Sequence, residues 1–331
     1  MTITTDYQTL RNTVGVHTPA GPLVRVTGDD RLTFLDAFLS RSAQYVDVDT
    51  TRECLALDAA GEPFAIILHL EREEESWLLP RTPVTAGRLA EYLSEFVEGD
   101  VELTVAPQGW GAVAVEGPLA WRVAEQLLDF DAAGLVLHAL VDVTLPGRPA
   151  EHTAFLARVG TTGEYGYLLV SDDPQSAEPM VLAMAEQLGG GAVRAEALAR
   201  VQAEAGMPYY AMGVGDLGVN EADLSWLVDW QRLGEFHGSA ELTPPQKNQR
   251  KLAPLAASPG AALAGQPVRV DDLGVGTVIY QAPSANLDEE LAFALLDAPF
   301  WVPTLDLQAS VPVTTVTLPR VLARSAVEKI G

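Results

Sequence analysis

The amino-acid sequence predicts an α+β fold, on two observations. Up to a connector that begins near Thr243, short segments rich in Val, Ile and Leu alternate with stretches whose apolar residues recur at helical spacing. Beyond that connector, turn residues recur between short Val-rich runs, so residues 250–320 are predicted to form an all-β module. At roughly 100–200 residues per domain, the length of 331 residues indicates two or three domains.

The elements follow in chain order. An apolar stripe at helical spacing predicts a helix over about 30–40. It follows Asp29 and Asp30, and aspartate is a common N-cap of helices. A second helix is predicted at about 84–97, and a third after Gly117-Pro118, because proline is favoured in a first helical turn. Consecutive glycines are poor helix formers, so the Ala-rich stretch 179–206 is predicted to form two helices broken at 189–191. The predicted strands are 23–26, 52–59, 63–71, 76–79, 101–105, 111–116, 135–144 and 153–159.

Composition excludes several partners. The chain carries 45 Asp and Glu against 21 Lys and Arg, a net charge of −24, whereas a phosphate backbone or an anionic bilayer requires clustered cations. We therefore expect neither nucleic acid nor a membrane as a partner. Apolar runs such as 64–68 are far shorter than the roughly 20 residues that span a bilayer. The first ten residues lack the features of a secretory signal, so a cytoplasmic location is expected.

Motifs for common cofactors are missing from the sequence. There is no Walker loop, no dinucleotide-binding glycine motif and no GxSxG elbow. A single cysteine, Cys54, cannot form an intrachain disulfide, and the five histidines show no metal-ligand spacing. No metal is expected.

Three segments are richest in chemistry. Residues 158–168 hold three glycines and one carboxylate, Glu164, between aromatic neighbours, and glycines let a ligand approach the backbone closely. Residues 204–210 combine helix stop signals with Tyr209 and Tyr210. Residues 224–230 hold two tryptophans. Taken singly, each segment is also consistent with core packing, since aromatic residues at element ends are usually buried.

In this order the segments resemble the glycine-cleavage T-protein family, the folate-binding aminomethyltransferases and their relatives. The resemblance covers most of the chain. It rests on the first strand and helix at 26–35, the "GP-A" turn at 113–120, the TGE-x-G signature at 158–167, the EAG…LSW stretch at 204–207 and 224–226, and the barrel glycines at 265–276.

The resemblance implies three domains in a cloverleaf around a central channel. Two are ferredoxin-like α/β domains and the third is a C-terminal antiparallel β-barrel. The boundaries that we predict are 1–50 with 139–245 for the first domain, 51–138 for the second and 246–331 for the barrel. The cofactor implied is tetrahydrofolate, which members of the family bind in that channel.

Several positions depart from the family's pattern. The Asp-Asp pair needed for transfer falls at Ala65 and Ile66, which cannot carry a charge or accept a proton. The glutamate that pairs with the pterin falls at Leu168, so a pterin there would lack partners for its N–H groups, at about 1–3 kcal/mol per group. The other departures are Pro80-Arg81 for an asparagine, Thr161 for a tyrosine and Gln202 for an arginine. Ordinary aminomethyl transfer is therefore not expected, and neither is a lipoyl carrier protein as a partner. The cysteine motif of the iron–sulfur maintenance relatives is also missing from 232–238.

Strand alternation suggests what replaces the lost carboxylate. Ala65, Ile67 and His69 share one face of a strand, so a channel that contacts Ala65 also contacts His69, which can act as a general acid or base near neutral pH. The alternative is a histidine whose hydrogen bonds are satisfied at a sheet edge. Glu164 is the second catalytic candidate, and Arg81 is predicted to bind a carboxylate or phenolate. The remaining predicted lining residues are Ile67, Leu168, Tyr209, Tyr210 and Trp226.

The leading functional prediction is a divergent, aminomethyltransferase-like enzyme with a rebuilt channel, which uses tetrahydrofolate for one-carbon transfer on a small molecule. Two alternatives remain open. One is a folate-independent enzyme of specialised metabolism that uses the same channel. The other is a non-catalytic protein that binds a folate or another metabolite.

Overall fold

The computed structural model describes residues 2–148, 152–215, 217–285, 287–327 and 330. It has the predicted α+β class, with two antiparallel-rich sheets followed by a closed barrel. The α-helices are Ile3–Asn12, Arg31–Asp36, Ala86–Ser94, Ala120–Glu125, Pro174–Gln187, Ala195–Ala205 and Tyr209–Met212. In the part of the chain that is described, no helix is long and apolar enough to cross a membrane.

The first sheet has five antiparallel strands, in the order Thr50–Leu57, Pro63–Glu71, Glu75–Pro80, Val24–Thr27 and Glu102–Val105. The second has six strands, in the order Gly191–Ala192, Gly15–His17, Gly111–Glu116, Gly166–Ser171, Ala154–Ala157 and Leu140–Asp142. The closed antiparallel barrel runs Lys251–Ala257, Glu290–Leu296, Leu273–Gln281, Pro267–Val270, Asp306–Gln308 and Pro312–Thr315, which confirms the predicted C-terminal module.

The domain boundaries at 50, 138 and 245 stay a prediction. Two strands pair within a sheet whose other strands come mainly from the other predicted domain. Val24–Thr27, from the segment assigned to the first domain, pairs within the five-stranded sheet. Gly111–Glu116, from the segment assigned to the second domain, pairs within the six-stranded sheet. Each sheet therefore contains a strand from the segment that the sequence analysis assigned to the other.

The two faces of the five-stranded sheet have different neighbours. On one face Leu68, Leu70 and Trp77 pack against Phe155 and Leu168 of the six-stranded sheet. The other face, which carries Ala65, Ile67 and Leu78, is covered by helices Arg31–Asp36 and Ala86–Ser94 through side chains such as Phe34, Leu89 and Leu93. A strand presents alternate side chains to opposite faces, so this packing decides which residues of Pro63–Glu71 reach the space between the sheets.

Candidate functional site

Two cavities meet between the sheets. The first has a volume of 440 Å³ and is lined by residues that include Glu53, Leu68, His138 and Arg158. The second has a volume of 510 Å³ and is lined by residues that include His17, Ala114, Gln202 and Tyr280. Arg81, Thr161 and Tyr210 line both cavities. The two cavities are therefore neighbours that share part of their walls.

The turn at Thr161 and Thr162 is held by a buried carboxylate, Glu116, at the end of the strand Gly111–Glu116. The backbone N–H and the hydroxyl of both threonines donate to it over 2.7–2.9 Å. Burial raises the pKa of Glu116, but these hydrogen bonds and the neighbouring His17 outweigh it and hold the pKa at about 2. Gln202 Nε2 donates to Thr161 Oγ1 at 2.9 Å, which fixes the turn from the other side.

Arg81 directly follows the strand Glu75–Pro80 and is held there by its backbone N–H, which donates to the Ile66 carbonyl at 2.8 Å. Its side chain is only 7% exposed, and its Nε lies 3.5 Å from Glu53 Oε1. Among the described residues this Nε has no hydrogen-bond partner. A buried guanidinium with unused donors is suited to a planar anionic group such as a carboxylate.

Glu53 Oε1 also accepts a hydrogen bond from the Tyr210 hydroxyl at 2.9 Å. Burial, with the negative charge of Glu53 beside it, raises the pKa of the Tyr210 phenol well above its usual value. Tyr210 is therefore neutral near pH 7 and donates its proton to Glu53.

Further positive charge surrounds the first cavity. Arg158 Nη1 donates to the Leu135 carbonyl, and the Arg41 guanidinium donates to the carbonyls of Glu53 and Trp226. Within the described part of the chain, neither arginine forms an ion pair with a carboxylate. Burial lowers the pKa of His138, and the charges of Arg81 and Arg41 lower it further against the opposing effect of Glu53. The guanidiniums of Arg81 and Arg158 thus lie in the same wall as the carboxylates of Glu53 and Glu164.

Of the predicted site residues, Arg81, Tyr210 and Glu164 line the first cavity. Glu164, however, already has protein partners. It accepts hydrogen bonds from the N–H of Arg324 and from the N–H and hydroxyl of Ser325, at 2.7–3.1 Å. The guanidinium of Arg11 lies 3.6 Å from the same carboxylate. The carboxylate thus fastens the C-terminal segment to the glycine-rich turn. This geometry does not support the catalytic role predicted for it.

Glu164→Gln is expected to lower the free energy of unfolding by about 1–3 kcal/mol, because an amide nitrogen cannot accept the bonds that the carboxylate oxygen receives. Urea denaturation measures the change, with the exposed Glu186→Gln as the matched control. Unchanged stability would contradict this fastening role.

The structure corrects the predicted orientation of His69 and Ile67. Both lie on the helix-covered face and line neither cavity, whereas Leu68, on the opposite face, lines the first. His69 is fully buried, with its Nε2 3.0 Å from Glu71 Oε2. Arg31 binds the other oxygen of Glu71 at 2.9 Å, so His69 belongs to a buried ionic cluster.

The other predicted lining residues also lie away from both cavities. Tyr209 is buried in an apolar cluster with Leu55 and Leu57. Leu168 lies in the core between the two sheets. Trp226 is 47% exposed, and the Arg41 guanidinium lies 5.9 Å from its ring centroid.

Four residues of the cavity walls and their support were not predicted, namely His17, Glu53, Glu116 and His138. They are distant in sequence and belong to no common motif. Only pairing across strands brings them together.

Comparison with known proteins gives a consistent picture. The model of the GCVT N-terminal domain family matches residues 2–232. An aminomethyltransferase of Streptomyces avermitilis is 29% identical over 286 residues, which cover 83% of this chain and 76% of that protein. That of Bacillus subtilis is 24% identical over 282 residues, covering 83% and 77%. The crystal structure of the glycine cleavage system aminomethyltransferase T from Bartonella henselae superposes with a TM-score of 0.76, over 97% of this chain and 90% of that chain, at 17% identity. This last similarity confirms the predicted fold.

Proposed function

Because the chain belongs to the glycine-cleavage T-protein (GCVT) family, we propose that it is a tetrahydrofolate-dependent one-carbon transferase that acts on a small molecule. The observation that carries the proposal is the pair of neighbouring cavities, of 440 and 510 Å³, both lined by Arg81, Thr161 and Tyr210. Their volumes are within the range typical of small-molecule sites.

The residues present fit a reduced folate. Such a molecule has N–H groups on its pteridine ring, an aromatic linker and carboxylates on its glutamate tail. Glu53 offers a carboxylate acceptor for N–H groups, and Leu68 and Tyr210 offer apolar surface. The guanidinium of Arg81, with the positive charge of Arg158 in the same wall, is suited to the tail carboxylates.

In this mechanism, bound tetrahydrofolate supplies the nitrogen atoms that carry or receive the one-carbon unit. The chain's own residues bind the ligand, orient it and hold the walls of the site. Arg81 binds and orients an anionic group, and the neutral Tyr210 keeps Glu53 hydrogen-bonded at the junction. Glu116 fixes the wall at Thr161. A small-molecule substrate occupies the remaining volume, and no lipoyl carrier protein is required.

A second candidate is a protein that binds a folate or another metabolite without turnover. Two observations favour it. Ala65 lies under the helices where the family carries a catalytic carboxylate, and the oxygens of Glu164 are engaged by the C-terminal segment. Neither residue can act as an acid or base toward a ligand in the cavities.

Calorimetric titration of the purified protein, without oxygen, with tetrahydrofolate and with 5-formyltetrahydrofolate tests the proposal. Saturable binding at micromolar concentrations is expected, since the site offers one largely buried cation and two cavities of 440 and 510 Å³. The absence of both a binding heat and a thermal shift with either compound would contradict it. Binding without turnover of any methyl or aminomethyl donor would favour the second candidate.

A further inference from the structure

His138 lines the first cavity next to the bridge that joins Thr50 to Ala139. Its backbone N–H donates to the Arg158 carbonyl at 3.0 Å, and its carbonyl accepts a hydrogen bond from the Thr51 N–H at 2.7 Å. The residue has a φ of 70°, in the left-handed region, where histidine is found more often than most side chains. Hydrogen bonds on both sides of its backbone therefore hold His138 in place in the cavity wall.

The two ring nitrogens of His138 have different surroundings. Nδ1 lies 3.2 Å from Thr51 Oγ1, whereas no described residue provides a hydrogen-bond partner for Nε2. The residue is exposed, so a ligand in the first cavity can reach its ring. A hydroxyl group both donates and accepts, so Thr51 can bind Nδ1 in the neutral and in the protonated imidazole. Nε2 is the ring atom that remains for a ligand.

The charged side chains in the wall of the first cavity balance one another. Arg81 and Arg158 provide two positive charges, and Glu53 and Glu164 provide two negative charges. Glu53 lies 3.5 Å from Arg81, and Glu164 accepts hydrogen bonds from the C-terminal segment. A bound carboxylate would therefore add a negative charge that these four groups do not compensate. A further positive charge beside the carboxylate would stabilise the complex.

His138 is the residue suited to supply this charge. The other titratable side chains of the wall are Glu53, Arg81, Arg158, Glu164, Tyr165 and Tyr210, and none of these residue types ordinarily changes its charge near neutral pH. Partial burial lowers the pKa of His138 below 6.5, and the charges of Arg81 and Arg41 lower it further against the opposing effect of Glu53. The imidazole is therefore mostly neutral at pH 7 and can take up a proton.

We propose that the first cavity binds a carboxylate together with one proton, which the imidazole of His138 takes up, so that Arg81 and His138 form one anion site. The inference rests on the proposed function for the identity of the ligand, a carboxylate of the folate tail. In this step one N–H bond forms on the imidazole with a proton from the solvent, and no bond of the ligand breaks. The imidazolium donates its Nδ1–H to the Thr51 hydroxyl and its Nε2–H to the carboxylate.

Calorimetric titration with 5-formyltetrahydrofolate at pH 7, in Hepes and in Tris, counts the protons, because the two buffers give up a proton with different heats. The native protein is expected to take up a fraction of one proton per bound ligand, and His138→Gln none. His152→Gln is the matched control, since His152 contacts Asp172 and lines neither cavity, and its uptake is expected to persist.

The affinity of the native protein is expected to rise as the pH falls, by at most about tenfold per pH unit, between the pKa values of His138 in the bound and the free protein. His138→Gln is expected to lose this dependence. Binding to the native protein without proton uptake, or uptake that persists in His138→Gln, would overturn the inference.

Histidine-selective ¹⁵N NMR of the native protein tests the inference without a folate. The probe is 4-aminobenzoylglutamate, which has the tail carboxylates but no pteridine ring, and the signal missing from His138→Gln assigns the residue. The probe is expected to raise the pKa of His138 and to leave the titration of His152 unchanged. A His138 pKa that stays the same while calorimetry shows the probe bound would overturn the inference, and so would the failure of both compounds to bind. A raised His138 pKa with the probe, together with no binding of 5-formyltetrahydrofolate, would support the inference and contradict the folate proposal alone.

Discussion

Arg81→Gln is expected to weaken the binding of 5-formyltetrahydrofolate by about 2–5 kcal/mol, the usual cost of removing one member of a buried charge pair. The arginine side chain is 7% exposed, lines both cavities and lies 3.5 Å from the Glu53 carboxylate. Glutamine retains one donor group but neither the charge nor the forked geometry that binds a carboxylate through two hydrogen bonds. Calorimetric titration of both proteins measures the loss.

Two controls make the Arg81 result specific. Arg269→Ala removes an exposed arginine of the barrel and is expected to leave the affinity unchanged. A reduced pterin without carboxylates is expected to bind the native protein and Arg81→Gln equally. If the variant lost affinity for this pterin as well, Arg81 would not be the carboxylate-binding residue.

Glu116→Gln is expected to remove a pH-dependent contribution to stability. Burial raises the pKa of Glu116, but the threonine hydrogen bonds and His17 lower it from 4.5 to about 2 in the folded protein. A carboxyl group whose pKa is lower in the folded state stabilises that state above its unfolded pKa, and the contribution is lost as the pH falls through the folded value. The shift corresponds to about 3 kcal/mol at pH 7.

Urea denaturation at a series of pH values measures this contribution. The native protein is expected to exceed Glu116→Gln in stability by about 3 kcal/mol at pH 7, and the difference is expected to shrink as the pH falls from 4.5 toward 2. Glu186→Gln, on an exposed helix face, is expected to show no such difference. A gap between native protein and Glu116→Gln that is independent of pH would contradict the assignment of an ionised, hydrogen-bonded Glu116.

Much of the secondary structure could be predicted from local pattern. The strand predicted at 63–71 is observed as Pro63–Glu71, and the glycine break at 189–191 separates Pro174–Gln187 from Ala195–Ala205. Gly206, at φ 97°, ends the second of these helices in a left-handed conformation that glycine adopts without strain. The N-terminal helix Ile3–Asn12 was not predicted, since only its Tyr7 and Leu10 provide buried apolar contacts to the core.

The orientation of the site residues could not be read from the sequence. Both faces of Pro63–Glu71 are buried, so alternation divides its residues into two groups without indicating which group faces the cavities. We predicted that the group containing His69 faces the channel, whereas Leu68, from the other group, lines the first cavity. The sequence around His17 does not indicate its pairing with Glu116. The two residues are 99 positions apart, and strand pairing brings them together.

Three positions that depart from the family's pattern lie in the walls of the cavities. Thr161 and Gln202, which the sequence marks as replaced positions, hydrogen-bond to each other and tie into Glu116. Arg81, a third replaced position, lies beside them in the walls of both cavities. Two of the replaced positions therefore belong to one buried hydrogen-bond network that Glu116 anchors, which keeps this part of the wall ordered.

We expect the two cavities lined by Arg81 to hold a reduced folate through its guanidinium. A crystal structure of the protein with 5-formyltetrahydrofolate tests it most directly. Ligand density in these cavities, with a carboxylate at the Arg81 guanidinium, is the expected result. Density outside these cavities, or a folate whose carboxylates lie away from Arg81, would contradict the claim.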